Sequence, residues 1–153
     1  MELRPSSLTA IVRTQIALRA LRAKINLLFF ERKYIKMSKH PELIVMLTHN
    51  DRTVENAYEI FDACKDTKAK YWGFKEVGIP LDEMKKLCSY MKACGKTTFL
   101  EVVAYTEEEC LAGAKMAVEC GFDCLMGTLF FVSILDYCKQ HDLRYMPFVG
   151  KIT

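Results

Sequence analysis

The chain has 153 residues, 51% hydrophobic and 27% charged, a balance that suits one globular domain with a sizeable core and excludes a disordered or fibrous polypeptide. The net charge of +3 is unevenly spread: residues 1–37 hold eight Lys or Arg against Glu2 and Glu31, so the rest is mildly acidic and argues against a nucleic-acid partner. The longest clear apolar run, INLLFF at 25–30, falls far short of the roughly 18 residues of a membrane span.

Residues 1–37 read as a basic, helical leader in which Ile11, Ile16, Leu18, Leu21, Ile25 and Leu28 are mixed among the cations. Three readings stay open: an appended or upstream-translated segment with the natural start at Met37, an added interaction helix, or a targeting segment. The domain proper is assigned to residues 38–153.

From residue 41 onward, short β-branched or aromatic runs alternate with amphipathic stretches of helical period. The first run, ELIVMLT at 42–48, breaks into HNDRT before the helical pattern VENAYEIFDACK, for which Asp51 reads as an N-cap. The second, KYWGFKEVGI, is ended by Pro80; Asp82 then opens a helix over DEMKKLCSYMKAC, with Gly95 just past its end. The third, TTFLEVVA, leads to Thr106 and Glu109, spaced as a capping box on EEECLAGAKMAVEC, which Gly121 terminates. The fourth is DCLMGT, followed by a helix through FVSILDYCKQ, and the fifth is RYMPFVGKI at 144–152.

Strand, helix, strand at this spacing predicts parallel strands joined by right-handed crossovers. Two architectures fit: a partial (β/α)8 barrel with about five parallel strands, and a five-stranded doubly wound sheet of flavodoxin type. A barrel fragment accounts better for a chain whose last strand is followed by no helix. The seven cysteines have no Cys-x-x-Cys spacing, and most sit on helical patterns beside Ala, Leu and Met, which reads as reduced structural thiols in the cytoplasm.

Both predicted folds keep their sites at the carboxyl ends of the strands. There the sequence places His49, Asn50 and Asp51, then Lys75 and Glu76, Glu101, Thr128 and Lys151. The pattern Phe-x-Glu-Val occurs twice, at Phe74–Val77 and Phe99–Val102. Matching registers would set Glu76 and Glu101 on the same side of neighbouring strands, about 5 Å apart, with Lys75 facing away unless the two registers differ by one. Adjacent carboxylates cannot both ionise cheaply, so either one becomes a general acid or base, or a cation lies between them. An oxygen-rich set completed by His49 and Asp51 would suit magnesium or manganese, although no dedicated metal motif is present. An interior ion pair between Glu101 and Lys75 or Lys151 is the purely structural alternative.

The third unit, TTFLEVVAYTEEECLAGAKMAVECGFDCLMGT, resembles those of the aldolase-type and ribulose-phosphate-binding TIM barrels. The segment ILDYCKQHDLRYMPFVGKIT is similar to part of the 2-keto-3-deoxy-6-phosphogluconate aldolases. Gly95-Lys96-Thr97 resembles the pre-strand motif of the glycerol-3-phosphate-responsive antiterminators. These resemblances cover residues 41–153, about five βα units, and rest on unit architecture. They imply a lyase or isomerase acting on a small phosphorylated sugar or keto acid, with Glu76, Glu101, Lys75 and Lys151 as catalytic candidates. His49, Asn50, Asp51 and Thr128 are the substrate-binding candidates. The aldolases carry their Schiff-base lysine on the sixth strand and their phosphate loops after strands seven and eight, beyond these units; a homo-oligomer or a complementing half-barrel chain would then complete the site. A non-catalytic phosphometabolite sensor and a receiver-like signalling module are the other readings.

Overall fold

The computed structural model describes residues 41–149. The chain divides into two units, Met1–Pro41 and Glu42–Thr153, and every element below belongs to the second. The basic leader and Lys151 lie outside the described residues.

In chain order the elements are β1 (Ile44–Met46), β2 (Thr48–His49), β3 (Arg52–Thr53), α1 (Ala57–Cys64), β4 (Tyr71–Lys75), α2 (Leu81–Ala93), β5 (Thr97–Glu101), α3 (Glu107–Cys120), β6 (Cys124–Met126), α4 (Val132–Gln140) and β7 (Arg144–Met146). The four helices predicted within the described residues form, and α3 has the predicted bounds because its ends are written locally. Thr106 Oγ1 accepts from the N–H of Glu109 while the Glu109 carboxylate returns to Thr106, and Gly121 closes the helix with φ +78°. The start of α1 departs from expectation: Asn56 is its N-cap, with no side-chain bond, and Asp51 lies in a different structure altogether.

That structure is a hairpin over residues 48–53, which takes in HNDRT, a stretch that reads as a loop. β2 and β3 pair antiparallel, Thr48 opposite Thr53 and His49 opposite Arg52. Asn50 and Asp51 turn between them with φ 48° and 61°, both left-handed, the geometry that suits strand twist in a two-residue turn.

The five main strands form one parallel sheet in the order β1-β4-β5-β6-β7, so each new strand joins beside its predecessor. Side chains alternate across strands and divide the sheet into two faces. Trp72, Phe74, Leu100 and Leu125 share one core cluster with residues of all four helices, including Phe61, Met91, Ala114 and Ile134. Phe61 meets Trp72 edge-on at 5.2 Å between centroids, and Phe74 meets Phe122 at 5.0 Å. Positions of opposite parity form the other face, where Phe99 and Cys124 are buried outside that cluster. Gly73 belongs there for steric reasons: a Cβ would stand 2.8 Å from both Met46 Sδ and the Phe99 carbonyl oxygen.

At the amino ends of β5 and β6 a polar clasp joins the two strands. The Asp123 carboxylate accepts from the backbone N–H of Thr98 (2.8 Å) and its hydroxyl (2.9 Å), and Lys92 lies 3.0 Å away. Partial burial pushes the Asp123 pKa up, but these bonds and the lysine charge outweigh it and leave the group below its ordinary value.

All seven cysteines are free, and five are buried. Burial pushes the thiol of Cys88 up to about 11 and that of Cys124 to about 12, which leaves little thiolate for nucleophilic chemistry. No helix among the described residues is long and apolar enough to cross a membrane.

Candidate functional site

The carboxyl ends of β4 and β5 hold the polar residues singled out above, but not in the arrangement the repeated motif suggests. Phe74 pairs with Leu100 and Lys75 with Glu101, so the two registers differ by one residue. Lys75 and Glu101 therefore share a face on neighbouring strands, and Glu76 projects from the other, helix-covered side. The expected Glu76–Glu101 pair is replaced by a Lys75–Glu101 pair of positions.

Carried across the sheet, this row continues from Glu101 to Met126 and from Met126 to Met146. Two charged positions thus give way to two apolar ones along one line. The row beneath it holds Met46, Gly73, Phe99, Cys124 and Arg144, and the Arg144 guanidinium lies 5.7 Å from the Phe99 ring centroid. Met126, Met146 and Arg144 were not singled out in the sequence; the alternation of DCLMGT and RYMPFV carries the signal once Glu101 fixes the parity.

Lys75 is only 3% exposed. Its backbone runs past the end of β1, where no strand partner continues, and Thr53 fills that role. The Thr53 hydroxyl donates to the Lys75 carbonyl at 2.8 Å and accepts from the Lys75 N–H at 2.9 Å. Gly78, at φ +117°, lets the chain after β4 close on Thr53, whose carbonyl oxygen would lie 2.2 Å from a Cβ there. The base of the hairpin is thereby bound to the end of β4. At its tip, Asp51 Oδ1 accepts from Lys75 Nζ at 2.6 Å, although the Asp51 side chain is 85% exposed. Asp51 is thus a counter-ion to Lys75 rather than a helix cap. His49 and Asn50 are exposed beside it on the same hairpin.

Glu76 lines a crevice of about 300 Å³ with Val102, Ala104, Glu109, Gly113 and Met116. One carboxylate oxygen, Oε1, accepts from the Val103 N–H at 3.3 Å; Oε2 is shielded from solvent and has no hydrogen-bond partner among the described residues. Burial raises its pKa above the ordinary glutamate value, and the hydrogen bonds and the charge of Lys75 offset this only in part. Thr128 is fully buried, with its hydroxyl 2.9 Å from that of Tyr145, which donates to the Leu129 carbonyl at 2.8 Å. It ties the loop after β6 to β7.

Among the described residues no group of three or more His, Cys, Asp and Glu side chains is placed to hold a metal ion. His49, Asp51, Glu76 and Glu101 are divided between the hairpin and the two faces of the sheet. What the arrangement offers is a buried ammonium beside a carboxylate on one face, with apolar side chains continuing the row. No family model matches the chain, and no curated protein matches it.

Proposed function

We propose that this chain is a lyase or isomerase for a small carbonyl substrate bearing an anionic group, a keto acid or a phosphorylated sugar. The observation that carries this reading is the pairing of Lys75 with Glu101 on one face at the carboxyl ends of adjacent parallel strands. Proton removal next to a carbonyl needs a base within reach of the carbon acid and a positive group where the enolate oxygen forms. Glu101 is the base and Lys75 the electrophilic partner; Met126 and Met146 extend the row as the wall for the carbon chain. In this reading Glu76 is a helix-side carboxylate outside the chemistry.

The strand order supports the partial (β/α)8 barrel over the doubly wound sheet. Flavodoxin-type sheets reverse direction after their first strand, in the order 2-1-3-4-5, whereas here each strand follows its predecessor. One core cluster shared by all four helices agrees with helices on a single side, as in a barrel wall. The face bearing Lys75 and Glu101 would then be the barrel interior. The same order weighs against a receiver-like module.

The test is a panel of small keto acids and sugar phosphates assayed for turnover with the wild-type chain, Glu101→Gln and Lys75→Met. Loss of a general base is worth about 10² to 10⁴ in rate, so Glu101→Gln should fall by that factor on the best substrate. Full turnover by both variants would refute the assignment. Binding of the panel without turnover by the wild type would favour the sensing reading instead.

A further inference from the structure

We infer that Asp51 is an internal stand-in for the anionic group of the substrate, and that an incoming carboxylate or phosphate displaces it from the Lys75 ammonium. This rests on the reading of Lys75 as a substrate-facing group, one whose donors hold the anionic group on binding and leave one for the adjoining enolate oxygen as it forms. An ammonium has three donors, and a buried one needs them satisfied to offset its desolvation. Among the described residues Lys75 Nζ meets one acceptor, Asp51 Oδ1 at 2.6 Å. That acceptor is unlike the rest of its surroundings, because Lys75 is 3% exposed and the Asp51 side chain 85%. A carboxylate so exposed regains water as soon as it leaves, so its release is cheap, whereas the Lys75 side chain is almost wholly covered.

The hairpin is built to allow the exchange. Its base is fixed, since the Thr53 hydroxyl bonds both the N–H and the carbonyl of Lys75 and the Thr53 N–H bonds the Val77 carbonyl at 2.8 Å. Its tip is a two-residue turn, Asn50-Asp51, which carries the counter-ion at the outer end. Motion of the tip alone uncovers the ammonium without unfolding the sheet end. The ligand group that fits is a compact anion with two or three oxygens, able to meet several of the lysine donors at once. Asp51 thereby keeps Lys75 paired in the free protein and competes with weak anions, which sets a threshold of affinity for the substrate.

The experiment measures binding of inorganic phosphate and, in a separate arm, acetate, by amide chemical-shift titration of the ¹⁵N-labelled full chain, read at Thr53 and Lys75. Asp51→Asn and Asp51→Gly are both compared with wild type, because either residue tolerates the left-handed turn. Removing the competing charge should tighten the preferred anion by about tenfold or more, and Lys75→Met should abolish the response. The arm with the larger gain identifies phosphate or carboxylate as the substrate group. Unchanged or weaker anion binding in both Asp51 variants would overturn the exchange and make Asp51 a positioning residue for Lys75. Because the readout is binding, exchange without turnover would refute the catalytic reading alone, and turnover without an Asp51 effect would refute the exchange alone.

Discussion

Phe74 settles opposite Leu100, so Lys75 stands on the face that carries Glu101, and Glu76 on the helix-covered one. There Glu76 has a measurable signature. Its raised pKa means that the folded state holds the proton more tightly than the unfolded chain, for which 4.5 is the reference. Wild-type stability is therefore lost as pH rises from that reference through the raised value, and Glu76→Gln is exempt. Thermal melts from about pH 4 to about pH 8 should show Glu76→Gln gaining on wild type as pH rises. A difference that is constant with pH, or that shrinks, would contradict the burial described for Glu76. The identity and approximate place of Glu76 and Glu101 follow from the sequence, because each sits in an apolar run near a predicted strand end. Their relation does not, since the register between parallel strands depends on the whole crossover and its packing rather than on either motif.

At the scale of elements, local signals fixed what local chemistry controls. The capping box and the left-handed Gly121 delimit α3 because each satisfies backbone groups that the helix leaves open. The hairpin of β2 and β3 is not legible in HNDRT, which lacks the alternating apolar pattern of strands, and its support comes from Lys75 and Val77, more than twenty residues away. The available signal was the Asn-Asp pair, two residues tolerant of left-handed φ between Thr48 and Thr53. The clasp between β5 and β6 is equally non-local and equally testable. Asp123→Ala should cost about 1 to 2 kcal/mol at neutral pH, at the lower end for bonds to a charged group because part of the side chain stays in water. The folded pKa of Asp123 is depressed, so its contribution is present above the unfolded value of 3.8 and disappears as pH falls through the folded value. Chemical denaturation at neutral and acid pH measures both; an undiminished penalty in acid would show that lost packing, rather than the carboxylate bonds, carries the effect.

For the whole molecule, alternation of runs predicted the parallel α/β architecture, and among the described residues the five strands of the parallel sheet and the four helices are those it named. Strand order lay beyond it, because any order with right-handed crossovers uses the same alternation. The order observed gathers the helices into one core cluster and gives the opposite face to Lys75, Glu101 and the two methionines. In the function proposed, Lys75 and Glu101 act there as a unit while Glu76 stands apart. The decisive measurement is a double-mutant cycle on solvent-deuterium exchange at the carbon next to the substrate carbonyl, using Lys75→Met, Glu101→Gln and the double variant, with Glu76→Gln in parallel. The double variant should lose little more than the worse single one, a coupling of the kind expected for residues that act together, and Glu76→Gln should exchange at the wild-type rate. Losses that multiply independently, or a loss confined to Glu76→Gln, would contradict it.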